Sequence, residues 1–314
     1  MYKRQANALA NALTSRYSLG NVELVDINNM RTKHKKLTFT KMRGTGNDYL
    51  YFDCFDQTVE SPESLAVRLS NRRTGVGSDG IVLIMPSTIA DAKMRMFNAD
   101  GTEGSVAGNA LRCVCKYLYE NGHVRKDEMA VETGSGVKTA KLFIREDQVF
   151  SVLVDMGCPA FAPAKIPVKL DGDRVMMRPV FLAGEKREIS CVSMGNPHVV
   201  IFVEDVNRIP LEQVGPQIET DSLFPERVNV SFAQIVDKND IVMRVWERGI
   251  GETAACGTGA CAVAVAAVEN GFCTRGADID VRLPGGTLVV RYQEDGKVWL
   301  TGDANTDFTG TIEI

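Results

Sequence analysis

The chain lacks the features that would sort it into most simple classes. No apolar run reaches the ~18–20 residues that a helix needs to cross a bilayer, so no membrane partner is expected. Neither sign of charge dominates: 36 Lys+Arg stand against 40 Asp+Glu for a net −4, with no basic stripe, which argues against nucleic acid as a partner. Histidine is scarce, with three in 314 residues. The eight cysteines (Cys54, Cys113, Cys115, Cys158, Cys191, Cys256, Cys261 and Cys273) contain no CxxC pair and no Cys/His cluster, so no metal site is expected. They are also too sparse for a disulfide scaffold. With no secretory apolar core at the start, a cytoplasmic location is expected.

What is present is a long series of short strands broken by turns. Residues 1–38 show no strand pattern and are set apart as an N-terminal extension, either a transit peptide or a non-native leader. From Leu37, LTFTKMRG alternates apolar and polar residues, and DYLYFDCF (48–55) is aromatic and β-prone. A helix is predicted from Pro62 to Asn71, strands over 81–87 and 92–101, and a helix from Asn109 to Tyr119 closed by Asn121-Gly122. The second half repeats the order: strand, turn and strand over 189–203, a hairpin over 229–249, and a helix over 257–270 closed by Asn270-Gly271. Further hairpin strands follow over 278–292 and 298–304. The implied fold is α+β, with two similar, facing halves of mostly antiparallel strands, each wrapped around a helix. The halves are taken as 39–157 and 158–314, with the C-terminal end returning to the first.

Two stretches stand out, EGSVAGNALRC (103–113) and ETAACGTGACA (252–262). Each is Glu-led, runs through small residues and Gly, and ends beside a cysteine. Gly257-Thr258-Gly259 opens an Ala/Val-rich helix, so free backbone N–H groups at a positive dipole end would suit a carboxylate or phosphate. Cys256 stands at that mouth, where the field is expected to lower a thiol's pKa. The residues alone leave Cys256 open as a packed core residue or a reactive thiol. A dinucleotide fingerprint over 257–262 is set aside, because no strand runs directly into the turn and Asp278 and Asp280 begin the next strand where the fingerprint needs an acid at its end. His198, in the turn Gly195-Asn196-Pro197-His198, reads equally as a substrate contact or a structural histidine. Asn47, Asn98 and Asn229 lie at strand or turn boundaries, where Asn is common for backbone reasons alone.

Taken together, FTKMRGTGNDY (39–49), NRRTGVGSDG (71–80), FNADGTEG (97–104), GNALRC (108–113), SMGNPH (193–198), FPERVN (224–229), ERGIGETAACGTGACA (247–262) and LPGG (283–286) resemble the diaminopimelate epimerase family. The resemblance covers residues 39 to about 306 and implies two pseudo-symmetric α+β halves enclosing a small-molecule substrate. It implies a cofactor-independent isomerase, expected as a homodimer, that interconverts LL- and meso-diaminopimelate on the route to lysine and peptidoglycan. Carried over by position, Asn47, Asn98, Asn196 and Asn229 would hold the substrate. Gly108-Asn109 and Gly257-Thr258 would bind its α-carboxylate region with Glu247 and Arg248, and Cys256, His198 and Glu247 would flank the reacting carbon.

The sequence departs from the family pattern at one place. The family has a cysteine immediately before Gly108, and this chain has Ala107. Inversion without a cofactor needs a proton carrier on each face of the α-carbon, so a single thiol predicts α-proton exchange with little inversion. Cys113 and Cys115 lie roughly 9–12 Å along the helix from its start and do not substitute. A related racemase for another amino acid, or a silent diaminopimelate-binding homologue, are the alternative readings.

Overall fold

The computed structural model describes residues 36–104 and 108–313, of which Thr38–Gly310 form one compact unit. In the first half the described elements are β1 (Lys36–Gly44), β2 (Asn47–Asp53), α1 (Pro62–Ser70), β3 (Gly80–Met85), β4 (Ala92–Asn98) and β5 (Glu103–Gly104). They continue with α2 (Gly108–Glu120), β6 (Glu128–Thr133), β7 (Gly136–Arg145) and β8 (Gln148–Gly157). In the second half come β9 (Arg178–Leu182), β10 (Glu185–Ser193), β11 (Pro197–Phe202), α3 (Leu211–Glu219), β12 (Asn229–Asp237) and β13 (Asp240–Glu247). β14 (Gly251–Thr253), α4 (Gly257–Glu269), β15 (Asp278–Leu283), β16 (Gly286–Tyr292), β17 (Val298–Gly302) and β18 (Asn305–Glu313) complete the chain. The fold is α+β, as the turn and period pattern predicts. β6 to β8, α3 and β18 fall in stretches where the sequence reading assigns no element.

The internal repeat is written in the strand pairing. β1 and β2 pair antiparallel, β2 and β3 parallel, β3 with β4 antiparallel, β4 with β6 parallel, and β6, β7 and β8 in antiparallel succession. β10 to β17 run through the same series: antiparallel, parallel, antiparallel, then a parallel step from β13 to β15, then antiparallel again. β17 closes antiparallel on β8 and joins the two halves. β18 pairs back onto β1, where Phe308 packs on Phe39 with ring centroids 6.1 Å apart.

Each half buries one helix. α2 turns Ala110, Leu111, Val114 and Leu118 into a core completed by Met42, Tyr51, Val82 and Val131. Cys113 and Cys115 are buried in that same core. α4 is buried nearly all round, from Gly259 to Ala267, because Ala, Gly, Cys and Val leave no polar face to solvate. Strands carrying Val192, Met243, Val281 and Val290 surround it. A third cluster lies under α3, where Leu211, Val214 and Ile218 pack on Val199, Val230 and Phe232.

Candidate active site

The starts of α2 and α4 meet over one side chain. A Cβ built at Gly108 would touch Leu300 Cδ2 and Met156 Sδ, both at 3.5 Å. A Cβ at Gly257 would lie 3.3 Å from the same Leu300 methyl and 3.5 Å from Asn109 Oδ1. Two positive helix ends therefore converge on β17, the strand that links the halves. No helix among the described residues is long and apolar enough to cross a membrane.

The pairing registers also give the site's internal symmetry. Tyr49 pairs with Gly80 and Gly80 with Asn98, as His198 pairs with Asn229 and Val230 with Trp246, one step from Glu247. Asn47 and Asn196 are equivalent in this frame, each preceded by a left-handed glycine, Gly46 at φ 88° and Gly195 at φ 93°. Only glycine takes that turn without strain. Asn98 corresponds to Glu247, and each stands ten positions before its helix glycine, Gly108 or Gly257. By the same count Ala107 is the counterpart of Cys256. Ala107 itself lies outside the described residues.

Most of the sequence-predicted residues fall into hydrogen-bonded groups, one in each half. Asn109 Nδ2 donates to Asn47 Oδ1 at 2.7 Å, linking the start of α2 to the start of β2. Across the helix starts, Asn196 Nδ2 donates to Thr258 Oγ1 at 3.2 Å, and Thr258 Oγ1 lies 3.7 Å from Cys256 Sγ. Asn196 Oδ1 is 3.0 Å from His198 Nε2. With its Nδ2 committed to Thr258, Asn196 can only accept there, so Nε2 carries the ring proton. Nδ1 then keeps its lone pair, buried and without a hydrogen-bond partner. Burial, assisted by the charge of Arg248, pushes His198 down to about 3, so the imidazole is neutral. Asn229 Nδ2 donates to Pro197 O at 2.8 Å, and its Oδ1 accepts from Arg248 N at 3.0 Å, which ties β12 to the end of β13. Asn98 stands apart: it binds Thr102 Oγ1 at 3.0 Å and steadies its own Asp-Gly turn.

The expectation that the helix mouth lowers the Cys256 pKa is reversed. Burial and the neighbouring Glu247 carboxylate raise the thiol well above its ordinary range, and Thr258 with the Gly259 N–H opposes them without prevailing. Glu247 is itself raised by burial, although Thr253 Oγ1 donates to its Oε1 at 2.5 Å and Cys256 hydrogen-bonds to it. The site therefore holds a protonated thiol against a carboxyl that is a better proton acceptor than a solvated one. The sequence reading saw the N-terminal field and missed the desolvation, which exceeds it here.

Sequence reasoning also missed Arg112, Thr45, Asp303 and Asp79. Arg112 Nη1 donates to Asn109 Oδ1 at 2.8 Å and Nη2 to Thr45 Oγ1 at 2.8 Å. Asp79 Oδ2 accepts from Asn47 Nδ2 at 2.9 Å. One available signal was an arginine on the apolar face of a helix that otherwise reads as core.

The sequence model described as Diaminopimelate epimerase matches residues 39–162 and 190–306. The chain belongs to the diaminopimelate epimerase family. By class it is therefore an isomerase. It is 48% identical over 279 residues to the diaminopimelate epimerase of Acetivibrio thermocellus, covering 88% of this chain and 99% of that one. With that of Desulfovibrio desulfuricans it shares 50% over 285 residues, again 88% and 99%. Among solved structures, a phenazine biosynthesis protein of the PhzF family from Bacillus anthracis superposes with TM-score 0.66 at 18% identity, over 89% of this chain and 100% of its own. A hydroxyproline epimerase from Agrobacterium vitis superposes with TM-score 0.57 at 15% identity, over 88% and 91%. At that identity these two show the family's fold alone.

Proposed function

We propose that this chain acts on diaminopimelate through a cofactor-free proton transfer at the α-carbon, with Cys256 as its single thiol. The observation that carries the reading is Cys256 at the start of α4, hydrogen-bonded to Glu247 and linked through Thr258 to Asn196 and His198. An α-proton is very weakly acidic, and the carbanion must be stabilised electrostatically as charge develops. Two converging helix starts aimed at the adjoining carboxylate supply that stabilisation, and it strengthens when water is excluded.

The proton ledger follows from the resting states. The Cys256 thiol gives its proton to Glu247, and the resulting thiolate takes the α-proton, leaving a carbanion beside the helix starts. Asn47, Asn98, Asn196, Asn229 and Arg248 hold the substrate, with neutral His198 beside Asn196 on the Cys256 side. The opposite face receives no thiol, because Ala107 stands where the second one would be. The proton therefore returns from Cys256 to the face that lost it. In this reading the chain divides near 157/158 into two half-domains and works as a cytoplasmic homodimer, which sedimentation of the purified protein tests.

Incubation with LL-diaminopimelate in D₂O tests the chemistry. The parent protein should place deuterium at the α-carbon with little meso product, and Ala107→Cys should form meso product. Substantial inversion by the parent would mean that another group serves the second face. Neither exchange nor product in the Ala107→Cys variant would overturn the two-thiol reading, and no binding of diaminopimelate by the parent would overturn the substrate.

A further inference from the structure

Arg112 is the largest fully buried side chain among the described residues, one turn into the helix that begins at Gly108. Burial pulls its pKa down, yet a guanidinium remains charged. Among the described residues its hydrogen bonds reach no carboxylate oxygen: Nε donates to the backbone O of Asp303 at 3.0 Å, while Asp303 Oδ1 is taken by the Thr45 N–H at 2.9 Å and hydroxyl at 2.7 Å. The cation is seated against bare backbone, since a Cβ at Gly302 would lie 2.7 Å from its Cζ.

Its donors set the direction of everything downstream. A guanidinium only donates, so Asn109 must turn Oδ1 toward it, and that turns Asn109 Nδ2 toward Asn47 Oδ1. Asn47 in turn directs Nδ2 at Asp79 Oδ2, which as a carboxylate only accepts. A donor-only group at one end and an acceptor-only group at the other leave one orientation for both amides. Each amide keeps one N–H outside the relay.

We propose that Arg112 is a positioning residue of the site: through the relay Arg112–Asn109–Asn47–Asp79 it makes both asparagines present N–H donors beside the start of α2, and its buried charge favours a carboxylate there. The identity of that carboxylate as part of diaminopimelate rests on the proposed function; the relay does not.

The test uses the full-length chain with ¹⁵N-labelled asparagine, the two side-chain amides being assigned by their loss in Asn47→Ser and Asn109→Ser. Without ligand, Arg112→Met should shift both amide signals, and Asp79→Asn should shift that of Asn47 first. Arg112→Lys, which restores the charge but not the planar set of donors, should leave the signals displaced. In calorimetry, Arg112→Met should weaken LL-diaminopimelate binding about 10- to 100-fold, the range for losing a charged hydrogen-bond partner, and Arg112→Lys should recover part of it. Unmoved amide signals in a folded Arg112→Met protein, whatever its affinity, would overturn the proposal. If that variant does not fold, unmoved signals in Asp79→Asn overturn it instead. A parent that binds no diaminopimelate refutes the substrate, while the ligand-free amide signals still decide the relay.

Discussion

Removing the charge of Glu247 should release the Cys256 thiol. The carboxylate is one of the causes that hold the thiol up, second to burial, and the two side chains are in hydrogen-bonding contact. At about 4 Å and an effective dielectric of about 20, two unit charges repel by about 4 kcal/mol. Glu247 is raised by its own burial and holds part of the shared proton, so the pair titrates as a unit and the whole of that repulsion is not available. Glu247→Gln should therefore lower the apparent thiol pKa and speed alkylation at a fixed pH below the midpoint by at least about tenfold. The assay is the pH dependence of alkylation by iodoacetamide, read by mass spectrometry on the peptide that carries Cys256, which separates it from exposed Cys158. The alkylation midpoint should move to lower pH. A midpoint that stays in place or rises would refute the coupling and leave burial as the sole cause.

Three further outcomes follow from the structure. His198 is held at about 3 against an ordinary value of 6.5, so the unfolded chain binds the extra proton between those limits, and the folded protein loses stability as pH falls through that window. Urea titrations across pH 3.5–6.5 should show a slope up to about 1.4 kcal/mol per pH unit steeper for the parent than for His198→Gln; parallel slopes would contradict the assignment. Gly215 lies in α3 against Trp246, where an added Cβ would come within 2.7 Å of the ring. Gly215→Ala should cost about 1–3 kcal/mol in chemical denaturation, as overpacking does, and an unchanged midpoint would show that the ring yields freely. Asn229→Ala should strand the Arg248 N–H and the Pro197 carbonyl that Asn229 now binds, weakening diaminopimelate binding about tenfold; unchanged affinity would remove Asn229 from the site.

The elements most legible in the sequence were those with a local cause. The two glycine-started helices, the Asn121-Gly122 and Asn270-Gly271 closures and the hairpin turned at Asn239, with its φ of 70°, are all fixed by residues a few positions apart. The likeness of 103–113 to 252–262 was legible for the same reason, and so was Ala107 as the counterpart of Cys256. β6 to β8 were not legible, because their apolar residues are interrupted by exposed charges, and β8 is completed by β17, far along the chain.

The sequence by itself determined which side chains the site has and which it lacks: one thiol, the paired glycine starts, the set of asparagines. Only the tertiary structure decided their ionisation and orientation. Cys256 is held protonated by its burial first and by the Glu247 carboxyl at the end of β13 second, against the local field that its own helix provides. Asn47 and Asn109 face as they do because Arg112 reaches Asp303, 191 residues away, and donates to Asn109 Oδ1 and Thr45 Oγ1, which leaves Asn109 Nδ2 to donate to Asn47. Desolvation and hydrogen-bond direction depend on what surrounds a group on every side, and most of those neighbours come from distant parts of the chain.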